Sequence, residues 1–397
     1  MSELPPILVL HNRYRHTGGE EGVVAAEVAL LREAGHAVHL REWDNETIGG
    51  FGSKLQTFRN ADGNAASAAW LAREIETTRA GIVHVHNFFP LLSPSVHHAA
   101  REAGCAVVQT LHNYRLLCAA ATFLRDGAIC TKCPDQGRLH AVAHRCYRGS
   151  LPGSLASVAM QRATIGSPAW LESIDRFVAL THFARDRLVA NGLPPRRTVV
   201  KGNFPPLPPE TGPDGPRSGA LYVGRLSPEK GVEMLVKTWH RLPDIPLSVM
   251  GTGPLEERLR TMAPANVTFH GSRPPEDVAL AMRQAALLVM PSAWYEGFPL
   301  TLVEAFASKL PVVASDLGGI AEIAGHGRLA RLFPHANPAA LAACVEALAS
   351  DAPERRAQAE RAHRHYTENL TACANLAQIE TIYRDALGER NGNVPRR

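Results

Sequence analysis

The sequence predicts an α/β protein made of two doubly wound parallel sheets, one following the other. Three observations carry this. Short β-branched runs alternate with helix-patterned segments, a stretch dense in Pro and Gly breaks the alternation near mid-chain, and the alternation then resumes. Such alternation implies parallel strands joined by crossover helices that cover both faces of a sheet. At 397 residues the chain also exceeds what one core usually supports, which favours two domains.

In order, PPILVLHN reads as a buried strand, EEGVVAAEVALLREAGH as a helix closing at Gly35, and AVHLREW as the next strand. AGIVHVHNF, CAVVQTLHN and DRFVALTH repeat the strand pattern, with helices such as SPSVHHAAREAG between them. GNFPPLPPETGPDGPRSG, Gly202 to Gly219, suits neither regular element and is expected as a hinge. Beyond it, ALYVGRL, PLSVMG, VTFHG, ALLVMPS and PVVASD read as strands, and GVEMLVKTWHRL, EDVALAMRQA and PLTLVEAFASKL as helices. The expected domains are 1–203, with a Cys-rich insertion at about 115–150, and 204–370. The remainder, 371–397, holds the helix NLAQIETIYRDAL, which has no strand after it and is expected to pack back on the first domain. Two such sheets facing across a cleft would hold a ligand outside the carboxyl ends of their strands.

Composition narrows the function. Lys+Arg 42 against Asp+Glu 38 gives a net charge of +4, too weak a bias to argue for a nucleic-acid partner. The N-terminus lacks the basic region of a signal peptide, and no apolar run approaches the roughly 18 residues of a membrane span. A cytoplasmic protein is expected, its seven cysteines serving as thiols or metal ligands rather than disulfides.

The stretch WYEGFPLTLVEAFASKLPVV, Trp294 to Val313, holds an acid in a Gly/Pro turn, Glu296, and another in the following helix, Glu304. Pro299 suits a first helical turn, since its missing N–H would be unpaired there. Gly297 lets an anion approach the free N–H groups and the positive end of the helix dipole. Glu304 falls about 7–8 Å further along the axis, so the two acids could grip hydroxyl-rich groups on either side of a diphosphate. The alternative is a solvated helix acid and a turn acid. VGRLSPEKGVEML adds Arg225 and Lys230, two cations able to neutralise a leaving diphosphate, or simply a charged surface loop. GTGP at Gly251–Pro254 lacks the third glycine and the downstream acid of a dinucleotide fingerprint, so NAD binding is rejected, and no Walker sequence is present.

Together these motifs resemble the retaining glycosyltransferases of family 4. EGFPLTLVE is similar to that family's E-x7-E motif and GRLSPEKG to its Arg/Lys loop, while HNRYRHTGGEEGVV, HVHNFFPLLSP and TLHNYRLLC resemble its acceptor-side motifs. The resemblance implies the GT-B fold of two Rossmann-like domains, a UDP- or GDP-linked sugar as donor substrate, and no catalytic metal. It implies that Arg225 and Lys230 bind the diphosphate, Glu296 the transferred sugar and Glu304 the ribose, and that His112 faces the anomeric centre. Gly18, Gly19, Gly224, Gly297, Phe298, Pro299, Leu300 and Thr301 would line the donor. Glu20, His86 and Asn87 are the implied acceptor-side residues. Pro299 stands where many relatives have Gly. The expected reaction is same-face substitution with retention, in polysaccharide, glycolipid or glycosylated-metabolite synthesis. A nucleotide-sugar 2-epimerase and a non-catalytic nucleotide-sugar binder share the architecture and stay open.

Cys118, Cys130, Cys133 and Cys146 fall within one short segment and could form a tetrahedral zinc site, unligated thiols or a redox pair. The same segment carries Arg125, Lys132, Arg138, Arg145 and Arg148, with His140 and His144. These suggest either a solvated basic loop or a peripheral contact with the inner membrane face and a lipid-linked acceptor; a small-molecule acceptor is the alternative.

Overall fold

The computed structural model describes residues 4–14, 19–45, 59–206 and 217–390, so Gly18 and much of the expected hinge lie outside the described residues. The chain divides into two compact units. The first comprises Met1–Phe123, Cys130–Asn203 and Ala372–Arg397, the second Leu124–Ile129 and Phe204–Thr371.

The first unit is built on a six-stranded parallel sheet in the order β2-β1-β3-β4-β7-β8. Its strands are β1 (Ile7–Arg13), β2 (Val38–Asp44), β3 (Ile82–Asn87), β4 (Ala106–Leu111), β7 (Arg176–Ala179) and β8 (Thr198–Val200). β3, β4 and β7 are buried at every position, as strands covered on both faces must be. The helix Gly19–Glu33 follows β1 with Glu20 and Glu21 in its first turn and Arg32 in its last, each complementing the helix dipole. Gly35, at φ +91°, ends it, and Arg32 Nη2 donates to Val38 O at 2.9 Å to fix the return into β2. The C-terminal helix Ala372–Arg390 buries Ile379, Ile382, Tyr383 and Ala386, at spacings of three and four residues, against Ile7, Val9, Ile82 and Val178 of this sheet.

The second unit has the order β11-β10-β9-β12-β13-β14, again parallel. The strands are β9 (Ser218–Val223), β10 (Leu247–Met250), β11 (Val267–Gly271), β12 (Ala285–Met290), β13 (Val312–Asp316) and β14 (Arg331–Pro334). Alternation decides which face each side chain covers. Leu288 and Met290 enter one core with Phe306 of the helix Leu300–Ala307, whereas Leu287 and Val289 enter the other with Trp239 of the helix Val232–Trp239. The two doubly wound sheets are those the sequence predicts. The structure adds β8, β14 and a small antiparallel hairpin of β5 (Leu124–Arg125) and β6 (Ala128–Ile129). It also adds the helices Pro338–Ser350 and Ala352–Asn369. One boundary shifts: the helix after β12 begins at Leu300, with Pro299 as its extended cap residue rather than inside the first turn.

Candidate active site

In the second unit, the loop after β9 and the loop after β12 meet through glycine. Gly231 has φ +67° and follows the single turn Pro228–Lys230; a Cβ there would lie 1.9 Å from Pro291 O. Only glycine lets the first loop press on the end of β12. Ala293 N then donates to Glu229 O at 2.9 Å, and Lys230 is carried to Glu296. Lys230 Nζ donates to Glu296 Oε1 at 2.8 Å and to Oε2 at 3.0 Å, and Ser292 Oγ donates to Oε1 at 2.8 Å. Glu296 is 5% exposed, so its charge needs this cation and hydroxyl. The ammonium also lies 5.6 Å from the centre of the Trp294 ring.

Around this pair, Arg225 is exposed, and its carbonyl accepts from Tyr222 Oη at 2.9 Å. Its guanidinium makes no ion pair among the described residues. Gly297 leads to Pro299 and a helix without a side-chain cap, leaving its first N–H groups for an external acceptor. Phe298 is half-buried and packs on the core. Leu300 and Thr301 open the helix and are half-buried. Glu304 stands one turn further on, its carboxyl pushed up by burial and with no side-chain partner among the described residues. Gly224 ends β9 beside Gly251, where a Cβ would meet Gly224 O at 2.0 Å.

In the first unit, His112 follows β4 and lines a small recess of about 30 Å³ with His86, Phe89, Asn113 and Arg115. His112 Nε2 is 2.8 Å from His86 Nδ1. His86 Nε2 lies 3.4 Å from Glu27 Oε1, and Glu27 Oε2 accepts from Lys201 Nζ at 2.7 Å. His84 fills the same layer, bonded at 2.8 Å to both Tyr383 Oη and Thr110 Oγ1. Asn87 is committed internally: its Nδ2 donates to Asn12 O at 2.7 Å and its Oδ1 accepts from Phe89 N at 3.2 Å. His86 and Asn87, expected as acceptor-side residues, are both buried.

Gly19 opens the helix Gly19–Glu33, and Glu20 follows it. Burial, then the charge of Glu21, pushes the Glu20 carboxyl up to about 8. His11, 3.9 Å away, is pushed down to about 3 by burial and His86, so both are neutral near pH 7. Tyr14 Oη accepts from Asn113 Nδ2 at 3.0 Å, and the Arg115 guanidinium lies 5.7–5.9 Å from the ring centres of Tyr14, Phe89 and Tyr147. Sequence reading missed Glu27, Lys201, Tyr14 and Arg115. Glu27 did carry a signal, since an acid four residues after Val23 and four before Leu31 stands on the apolar stripe of its helix.

The zinc site that Cys118, Cys130, Cys133 and Cys146 could have formed is not supported. No three of their sulfurs lie within 4.8 Å of one another among the described residues. Cys133 packs with Ala119, Ala141 and Val158, and burial pushes its thiol up to about 11, which keeps the proton a metal would have to displace. Glu27, His84 and His86 do bring ligand atoms within 4.8 Å. There Lys201 already supplies the cation, and both His84 nitrogens are bonded.

Comparison with known proteins follows this division. Residues 17–204 match the family model Glycosyltransferase Family 4, and residues 205–365 match Glycosyl transferases group 1. The chain is 30% identical over 256 residues to an exopolysaccharide phosphotransferase of Streptomyces coelicolor, covering 59% of this chain and 26% of that protein. It is 30% identical over 185 residues to the D-inositol 3-phosphate glycosyltransferase of Corynebacterium glutamicum, covering 43% and 44%. It therefore spans less than half the length of these curated relatives. The structure of Anabaena HepE in complex with UDP superposes with a TM-score of 0.67 at 16% identity, over 95% of this chain and 98% of that one. The chain is thus of the family 4 and group 1 glycosyltransferase type, with the GT-B fold of its structural neighbours.

Proposed function

We propose that the protein is a retaining glycosyltransferase that moves a sugar from a nucleoside diphosphate to an acceptor hydroxyl. The observation that carries this reading is the Lys230–Glu296 pair beside the exposed Arg225 and the uncapped helix at Leu300. An ammonium has three donors; two engage Glu296, and the third is free for a phosphate oxygen. Glu296, anchored by Ser292 and Lys230, keeps a lone pair for a sugar hydroxyl, and Glu304, once ionised, accepts from the ribose. The bond between the anomeric carbon and the diphosphate breaks while one to the acceptor oxygen forms on the same face. The departing phosphate oxygen takes the acceptor proton, and Arg225 and Lys230 stabilise its charge; the positive charge comes from these side chains, and the reaction is proposed as metal-independent. Family-model matches over both halves and the UDP complex of a structural neighbour support a nucleotide-sugar donor. With UDP- or GDP-hexoses and an acceptor panel, proton NMR of the product should give the donor's anomeric configuration. An inverted product ends the retaining reading, and donor converted to its 2-epimer without acceptor ends the transferase reading.

The acceptor is proposed to be lipid-linked and met at an anionic bilayer. Leu139, Leu151 and Leu155 are three of the four exposed large apolar side chains among the described residues, and exposed Lys132, Arg145 and Arg148 lie in the same segment. No helix among the described residues is long and apolar enough to cross a membrane, so contact would be peripheral.

A further inference from the structure

We propose that Arg115 binds an oxyanion, a phosphate or a carboxylate, carried by the acceptor substrate. Assigning that anion to the acceptor rests on the transferase reading, whereas the unmet charge at Arg115 does not. The residue is held from both sides of its backbone. Its N–H donates to Asn113 Oδ1 at 3.0 Å, and its carbonyl accepts from Gln161 Nε2 at 2.7 Å. Its Cζ then lies over three rings, 5.9 Å from the centre of Tyr14, 5.7 Å from Phe89 and 5.8 Å from Tyr147.

A guanidinium is not deprotonated in proteins, and a charge withdrawn from water is normally paired. Arg115 is half-buried, yet no described carboxylate forms an ion pair with it. The rings offset part of its charge, but they leave the five N–H donors in the guanidinium plane to be met. Tyr14 Oη meets one, and the same oxygen already accepts from Asn113 Nδ2. Arg115 Nε has no partner. The acids of the neighbouring helix do not fill the gap. Burial and then Glu21 push the Glu20 carboxyl up to about 8, so it is neutral near pH 7, and Glu21 Oε1 accepts from Tyr14 N at 2.9 Å. Glu20 Oε1 and both ring nitrogens of His11 are likewise shielded and without a hydrogen-bond partner. Buried polar groups normally find partners within the fold or in ordered water, so unmet groups gathered in one place mark a site completed from outside the chain. The permanent charge there is that of Arg115, so the missing component is an anion. A planar fork of donors matches the paired oxygens of a phosphate or a carboxylate.

Nitrogen-15 NMR of arginine-labelled full-length protein tests this, with an Arg115→Lys variant identifying the Arg115 resonance. The probes are inorganic phosphate, glucuronate and, as the uncharged control, glucose; the Arg225 resonance reports the proposed diphosphate site in the same spectra. At least one anion should shift the Arg115 resonance saturably, and glucose should not. Phosphate alone assigns a phosphorylated acceptor, glucuronate alone a carboxylated one, and both together the shared oxyanion. Saturation by neither anion, or an equal shift with glucose, would overturn the proposal. In turnover with acceptors of both kinds, Arg115→Gln should raise the KM of the charged acceptor at least tenfold and leave the donor KM unchanged. A folded Arg115→Gln variant with unchanged acceptor KM, or turnover confined to uncharged acceptors, would also overturn it, and the NMR titration decides if that variant does not fold. Should no nucleotide sugar be turned over, the transferase reading falls while the titration still decides whether Arg115 binds an oxyanion.

Discussion

Single side chains here do two jobs, and the division can be measured. Lys230 neutralises a buried carboxylate and is proposed to hold a phosphate, so Lys230→Ala should cost stability as well as turnover. Leaving Glu296 unpaired costs up to about 3–5 kcal/mol for a fully buried pair, less here because Lys230 is 28% exposed. Arg225→Ala, from an exposed side chain, should lower kcat by about 10²–10³ with little change in melting temperature. Comparing the two variants by calorimetry and turnover separates the roles. Glu20 gives a pH signature. Its carboxyl titrates near 4.5 when unfolded and near 8 when folded, so between these values the folded state holds a proton the unfolded state has lost. Stability is therefore lost as pH rises through that window. Glu20→Gln should raise the melting temperature at pH 8 and leave it nearly unchanged at pH 4; equal shifts at both would contradict the assignment. At this scale the sequence revealed residue types but not partners. Nothing in GRLSPEKG and EGFPLTLVE tells that Lys230 and Glu296 are bonded to each other, because that contact depends on Gly231 packing against Pro291.

Elements were more legible than contacts, for reasons of length and pattern. β1, β3, β4, β12 and β13 are apolar runs bounded by turn residues, and each was recognised. β8 has three residues and β14 four, too few for any periodicity to emerge. The helix Ala352–Asn369 was missed because its buried face includes Gln358 and small Ala359 and Ala362. Gln358 Oε1 accepts from Val312 N at 2.8 Å, so a polar residue serves as core and hides the stripe. The Cys-rich segment misled for the opposite reason, since its spacing suggested metal but its folding buries Cys133 among apolar groups. The same segment makes a prediction. Leu151 and Leu155 are four apart on the helix Leu151–Ala163 and share a face. Replacing Leu139, Leu151 and Leu155 with Ser should weaken sedimentation with phosphatidylglycerol vesicles several-fold without altering donor turnover in solution. Unchanged sedimentation would rule out this face.

For the whole molecule, the donor candidates and the recess at His112 lie in different units, each folded from its own strands. The C-terminal helix Ala372–Arg390 completes the first unit, and its Asn375 bonds both Lys201 and Gly202 O at 2.7 Å, just before the chain enters the second unit. Deleting residues 372–397 should therefore destabilise the first unit by exposing Ile7, Val9, Ile82 and Val178, which Ile379, Ile382 and Tyr383 otherwise cover. Two-step thermal unfolding, with only the lower transition shifted, is the expected outcome. The central claim is that a nucleoside diphosphate is held by Arg225 and Lys230 at the start of the helix Leu300–Ala307. A thermal-shift titration with UDP, GDP and inorganic phosphate tests it most directly. One nucleoside diphosphate at 100 times its Kd should stabilise the wild type by about 2.7 kcal/mol, and the Arg225→Ala, Lys230→Ala double variant should lose this shift. No shift with either nucleotide, or an equal shift in the double variant, would contradict the account.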